Sequence, residues 1–181
     1  MDRLNKDELF TLGLHLDLPD LITFCKLNKK FASVCPNVWR AKIAKDFPEF
    51  KYETLTEKMR HISLADFYSV LHARKVLDLN RNKLEELYFT KYLDLSHWGL
   101  TKVPVFYLPN LISLSLSYNK LNDVPRFDLP NLEILHLNNN QLTIVPDFEL
   151  PNLKKLYLYG NLFTEEEKIK INKKYGLRVL L

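Results

Sequence analysis

"LPNLEILHLNNNQLTIVPDFE" runs from Leu129 to Glu149, and nearly the same phrase precedes it from Leu108 and resumes at Leu150. Leu93, Leu114, Leu135 and Leu156 stand 21 residues apart, as do Leu95, Leu116, Leu137 and Leu158. Leu100, Leu121, Leu142 and Phe163 keep the same register, followed by Val103, Val124 and Val145 and then Phe106, Phe127 and Phe148. The phrase contains no cluster of reactive side chains, so its repetition points to architecture. In "LSLS" and "LHLN" the leucines alternate with other residues, which as a strand turns the leucines to one face and their neighbours to the other. One such unit cannot bury its own leucines. Parallel neighbours stack them into a continuous core, which is why the phrase must recur about three times or more.

The period and the pattern LxxLxLxxNxL resemble leucine-rich repeats. Strands are expected at Leu93–Leu95, Leu114–Leu116, Leu135–Leu137 and Leu156–Leu158, with an earlier, shorter unit "VLDLNRNKL" (76–84) giving a fifth centred on Leu77. Asn82, Asn119, Asn140 and Asn161 follow the strands at a constant offset, where a side-chain amide satisfies backbone groups leaving the sheet. Trp98 replaces the amide in one unit, and a local distortion is expected there. The returning half, "VPxFxLPNL", has two prolines and no helical period, so it reads as extended. Strand spacing of about 4.8 Å against a bulkier returning side predicts a curved parallel sheet with the strands on its concave face. Thr164 and Glu167 predict the start of a closing helix ended by Gly176, and "LRVLL" a last strand over the open leucine edge. The outward positions Tyr92, Asp94, His97, Tyr118, His136, Asn138, Tyr157 and Tyr159 form the candidate target-binding face, since tyrosines there serve no structural need of the solenoid.

The 181 residues are 46% hydrophobic and 27% charged, as expected of a folded chain. The formal charge of +4 is dispersed, because "KIKINKK" (168–174) follows "EEE" (165–167), and no basic stripe suggests nucleic acid. No apolar run reaches membrane-spanning length and no secretory leader is recognisable, so an intracellular, cytoplasmic or nuclear location is expected. The five histidines share no ligand spacing with each other or with Cys25 and Cys35, so neither a metal nor another cofactor is expected. Cys25 lies on an apolar helical stripe and reads as a core residue. With four glycines and no phosphate loop, nucleotide binding is not indicated, and no enzyme activity is expected.

The first fifty residues have helical rather than repeat spacing. Asp17 with Pro19 predicts one helix start, Asn28 and Phe31 open a short helix that Pro36 should end, and Asn37 caps another carrying Trp39, Ile43 and Phe47. "LGLHLDL" (12–18) fits a strand or a helix by period alone. Leu4, Leu9, Leu12, Leu16, Pro19, Asp20 and Leu21, with Trp39 further on, resemble an F-box. Ser63 with Asp66 starts a further helix, whose stripe Leu64, Phe67, Tyr68 and Leu71 should cover the first repeat.

The expected fold is therefore α+β: an F-box-like helical domain at 1–50, a linker and capping helix at 51–73, repeats at 74–163, and a capping helix and strand at 164–181. The resemblance implies the substrate-recognition subunit of an SCF-type ubiquitin ligase. In that family the box, here Leu4, Leu9, Leu12, Leu16, Pro19, Leu21 and Trp39, binds a Skp-family adaptor. The adaptor joins a cullin scaffold, and the repeats hold a target protein. The alternative is a leucine-rich-repeat interaction module whose helical N-terminus is a cap without any ubiquitin role.

Overall fold

The computed structural model describes residues 5–16, 18–26, 29–50, 62–79 and 84–181. The ambiguous "LGLHLDL" begins inside a helix, α1 (Lys6–His15), because Asn5 starts it: its side chain accepts from the amides of Asp7 and Glu8 at 2.9 Å, and Glu8 returns a bond to the Asn5 amide at 2.7 Å. Helix α2 spans Leu18–Lys26. The expected break at Pro36 does not occur, and α3 runs unbroken from Lys29 to Asp46. A proline inside a helix costs about 3 kcal/mol. Here Val34, Cys35, Val38, Trp39 and Ile43, on both sides of Pro36, pack into one core with Leu9, Leu21 and Phe24, and that shared burial holds the two halves in line. Cys25 is not a free core thiol. It is disulfide-bonded to Cys35, with a Cα–Cα distance of 6.0 Å, and so ties α2 to α3. The helix starts assigned to Asp17 and Asn28, and the segment 51–61, lie outside the described residues.

Helix α4 (Leu64–Val76) starts at Ser63, whose hydroxyl oxygen accepts from the Asp66 amide at 3.0 Å. It joins two cores. Phe67, Tyr68 and Leu71 enter the core of the N-terminal helices, while Val70 and Ala73 enter that of the repeats. Being apolar on two sides, α4 is buried nearly all round, as a helix wedged between two layers must be. A polar contact pins its first face, the Tyr68 hydroxyl donating to Asp46 at 2.6 Å, while Lys42, buried beside them, ties α3 to the end of α1 by donating to the Leu16 carbonyl at 3.0 Å. Burial and the neighbouring Asp46 carboxylate, to which it is hydrogen-bonded, push the Tyr68 phenol well above its ordinary pKa.

No strand forms at Leu77. The amide of Leu77 donates to Ala73 and that of Leu79 to Arg74, so the end of α4 consumes the donors that a strand would offer its neighbour. Both leucines are nevertheless buried in the repeat core. A short helix, α5 (Leu84–Phe89), leads into the sheet.

The sheet has five parallel strands in chain order: β1 (Tyr92–Asp94), β2 (Ser113–Ser115), β3 (Ile134–His136), β4 (Lys155–Tyr157) and β5 (Val179–Leu180). Leu93, Leu114, Leu135 and Leu156 are in register, as the 21-residue period requires. The returning segments are extended, and Phe106, Phe127 and Phe148 form a buried spine with centroids 5.9 Å apart at each step.

The expected amide ladder is present at Asn119, Asn140 and Asn161, with Asn82 outside the described residues. Each Oδ1 accepts an amide from the previous repeat (Leu100, Leu121 and Leu142 respectively), and each Nδ2 donates to carbonyls of its own repeat and the one before. Trp98 cannot do this and stands half exposed, and beside it Gly99 takes a φ of +68°, which the corresponding Lys120, Gln141 and Leu162 do not. That is the distortion expected there. A second ladder, unremarked in the sequence, uses the asparagine of each "LPN": Asn110, Asn131 and Asn152 donate to the carbonyls of Tyr88, Pro109 and Pro130 at 2.7–2.8 Å.

Helix α6 (Glu165–Tyr175) closes the array, with Thr164 as its cap and Gly176 at φ +56° after its last turn. Glu167 does not complete a capping box but reaches the Val145 amide at 3.5 Å. Tyr175 is bonded to the backbone of Pro146 and Phe148, and Lys174 is paired with Asp147, so the helix seals the last returning segment before β5 covers β4.

Candidate recognition surface

The leucine alternation that builds the core also decides what faces out. Two rows cross the sheet in register: Tyr92, Ser113, Ile134 and Lys155, then Asp94, Ser115, His136 and Tyr157. Beyond the strands the chain turns at His97, Tyr118, Asn139 and Gly160, all with φ between +55° and +70°. Glycine takes this conformation without strain at Gly160, where a Cβ would have to push the Asn139 side-chain oxygen aside. For His97 and Tyr118 the left-handed backbone costs on the order of 1 kcal/mol. Their rings stack at 4.5 Å and 9°, a contact worth a comparable amount, about 0.5–1.5 kcal/mol. His136 and Tyr157 form a second stack at 4.4 Å and 4°.

Seven of the eight expected outward residues keep exposed surface on this face, His97 and Tyr118 through the left-handed turn and not through strand alternation. Tyr92, Asp94, His97, Tyr118 and Tyr159 are exposed, and Tyr157 is half-buried in its stack. His136 is likewise half-buried. Asn138 is a correction: only 3% of it is exposed, and its Oδ1 accepts the Ser117 hydroxyl at 2.8 Å. That bond turns Asn138 towards the equivalent residue of the preceding repeat, so it serves the hydrogen bonding between repeats and not the face.

Two groups on the face have shifted pKa values. Asp94 is held below the ordinary carboxylate range by hydrogen bonds from the Ser96 side chain and amide, the latter at 2.9 Å, with help from Ser115 and His97. His136 is held below the ordinary imidazole value by desolvation, with Asp94 pulling the other way. An NMR titration should therefore place the His136 midpoint below 6.5, and Asp94→Asn should move it lower still. Because the folded pKa is depressed, His136 takes stability away as pH falls from above 6.5 to its folded pKa, and no more below that. A midpoint that rises on Asp94→Asn would contradict this arrangement.

The proposed adaptor contacts fare unevenly. Leu9, Leu21 and Trp39 are fully buried in the core of the N-terminal helices and can offer an adaptor no surface. Leu12 is 36% exposed and Leu16 half-buried, while Leu4 and the side chain of Pro19 lie outside the described residues. The helical spacing that suggested them cannot separate a core leucine from an outward one when leucines occupy nearly every side.

Among the described residues no three His, Cys, Asp or Glu side chains converge as metal ligands, and no helix is long and apolar enough to cross a membrane.

Two families of leucine-rich repeat match this chain: a single Leucine Rich Repeat over residues 110–132, and Leucine Rich repeats (2 copies) over residues 130–170. Residues 110–170, which carry β2, β3 and β4, are thus leucine-rich repeats, and such repeats suggest a protein–protein interaction module. Neither match reaches the N-terminal helices. A comparison with curated proteins gave no match.

Proposed function

We propose that this chain is a recognition subunit whose repeats hold a target protein against the open face of the sheet. The observation that carries the reading is the pair of His–Tyr stacks set among exposed tyrosines. Tyr92, Tyr118 and Tyr159 are 72%, 52% and 44% exposed on one face, in positions that packing does not require them to fill. No covalent step is assigned to the chain.

A second, more specific reading concerns the N-terminal helices. They have a core of their own, against which Phe10, Leu14 and Leu16 pack, and Leu12 remains exposed on α1. That exposed leucine, together with the F-box resemblance, supports docking of a Skp-family adaptor with a cullin beyond it. The chain would then be the substrate receptor of an SCF-type ubiquitin ligase. If instead the helices only cap the repeats, the interaction module stands without a ubiquitin role.

Affinity purification of the intact chain, followed by mass spectrometry, supplies the target and tests both readings. Tyr118→Ala, His136→Ala and Tyr157→Ala together should reduce target capture at least about tenfold, or roughly 1.4 kcal/mol, with adaptor binding and thermal midpoint nearly unchanged. Leu12→Glu should remove the adaptor and spare the target. Full capture by the triple variant would move the recognition surface off the sheet. No adaptor binding by the intact chain at about 30 μM, roughly −6 kcal/mol, would leave the interaction module alone.

A further inference from the structure

The outward rows of the sheet end on an apolar and cationic patch. Leu180 is paired with Tyr157, so β5 extends the row Asp94–Ser115–His136–Tyr157 by one apolar side chain. Val179 and Leu181, on either side of it, pack against the repeat core, and Leu180 therefore faces the same way as Tyr157 and is 46% exposed. Lys155, at the end of the other row, and Arg178, the residue before β5, are both exposed. Neither forms an ion pair among the described residues, whereas the adjacent Lys154 pairs with Glu133 at 2.7 Å. Each strand thus carries a cation and, two residues on, an outward apolar group: Lys155 with Tyr157, and Arg178 with Leu180. This end of the face is open. Leu177, in the turn ahead of β5, is fully exposed, and β5 has β4 as its only strand neighbour.

Charge selects the occupant. A basic segment is repelled by Lys155 and Arg178. A carboxylate is attracted by both, and it lies clear of Asp94, the acid of the two rows, which stands three strand steps from β4, about 14 Å at the backbone. An anion alone would leave Tyr157 and Leu180 in water, so the carboxylate should come with an apolar neighbour. Along an extended chain, side chains two residues apart project to the same side about 6.6 Å from each other, which is the spacing of Lys155 and Tyr157 on β4. A second copy of this chain fits poorly. Two-fold pairing of the β5 edges would bring Arg178 of one copy near Arg178 of the other, and Glu165, Glu166 and Glu167 are already paired with Lys168 and Lys170 of their own helix.

We propose that the β4–β5 end of the face receives an extended acidic segment of the bound protein, its carboxylate held by Lys155 and Arg178 and an apolar side chain two residues away seated on Tyr157 and Leu180. This rests on the reading that the open face of the sheet binds a protein, and it specifies the chemistry of one anchor.

The test uses the isotope-labelled intact chain and N-acetyl-glutamyl-glycyl-phenylalanine amide as the probe. Analogues with glutamine in place of glutamate, and with alanine in place of phenylalanine, are titrated beside it. The acidic probe should shift the Tyr157 ring, Leu180 methyl and Val179 amide resonances saturably, with a Kd on the order of 1–10 mM. Each analogue should bind at least about fivefold more weakly, and raising the salt from about 50 to 500 mM should weaken the acidic probe alone. Lys155→Glu with Arg178→Glu should abolish its binding, and Leu180→Ser should weaken it about fivefold. All three side chains are exposed, so the unfolding midpoints should stay nearly unchanged. Equal binding of the glutamate and glutamine probes to the unaltered chain, or no shift with the acidic probe at about 50 mM, would overturn the proposal. So would an affinity indifferent to the double charge reversal. A dimer in sedimentation that Leu180→Ser dissolves would assign the patch to a second copy and overturn it as well. If the target is captured but the acidic probe fails, this inference falls and the recognition reading stands. If the triple variant of Tyr118, His136 and Tyr157 still captures its target in full, both fall.

Discussion

Leu135→Ala should lower the unfolding free energy by about 2–5 kcal/mol, the range for truncating a fully buried leucine. Leu135 has no exposed surface, and it lies in the central strand with Leu114 on one side and Leu156 on the other. A repeat array passes stability from neighbour to neighbour, so a cavity here weakens the contacts of β3 with both β2 and β4. The neighbouring leucines are held by their own strands and cannot collapse inward without breaking the register, which favours the upper part of the range. Urea denaturation followed by circular dichroism measures the change. A loss below about 0.5 kcal/mol, the size expected of an exposed position, would mean that the leucines are not packed in this stack.

Asn140→Ala should cost a similar amount, about 2–4 kcal/mol, though almost no apolar surface is lost. The Asn140 amide accepts from the Leu121 amide at 3.1 Å and donates to the carbonyls of Leu116 and Leu137 at 2.9 and 3.1 Å. Alanine leaves these groups buried without that partner, at about 1–3 kcal/mol for each that water cannot reach. Asn161 makes the corresponding bonds nearer the C-terminal end and is half-buried, so Asn161→Ala should cost less than Asn140→Ala. The same denaturation experiment ranks the two. If Asn161→Ala proves the more damaging, burial does not set the cost of breaking the ladder. Trp98 gives a natural precedent: the chain does without the amide in one unit, at the start of the sheet, where β1 has only β2 as a neighbour.

The difference between the two halves of the chain shows what a single sequence conveys. In the repeats, every feature that matters is local and recurs every 21 residues. Alternation sets which side chains enter the core, the asparagine follows its strand at a fixed offset, and translation by one unit places equivalent residues side by side. Strands β1 to β4, the amide ladder and the register of the phenylalanines were legible for that reason, while the closing helix and β5 were legible from Thr164, Glu167, Gly176 and the final apolar run. The candidate face was legible with them, because outward is simply the complement of inward along a strand. Asn138 escaped that rule because its side chain is hydrogen-bonded to Ser117 in the preceding repeat, which holds it beneath the surface. The "LPN" asparagines had the same 21-residue period, and their partners one repeat away could have been found from it.

The N-terminal helices lack such a repeating frame. Leu9, Leu12, Leu16 and Leu21 have the same side chain and compatible spacing, and only the packing of α1 and α2 on α3 makes Leu9 and Leu21 core while Leu12 stays exposed. Pro36 would end a helix on local grounds, and it is the common core on both sides of it that keeps α3 continuous. Leu77 and Leu79 carry a strand's alternation, yet α4 claims their amides. The sequence by itself determined the repeats, because their period encodes the neighbour each residue will meet. The tertiary structure alone decided which N-terminal leucines are buried, where α3 and α4 end, and that Cys25 meets Cys35, because those outcomes depend on surfaces distant in the chain whose free energies of packing outweigh local preference.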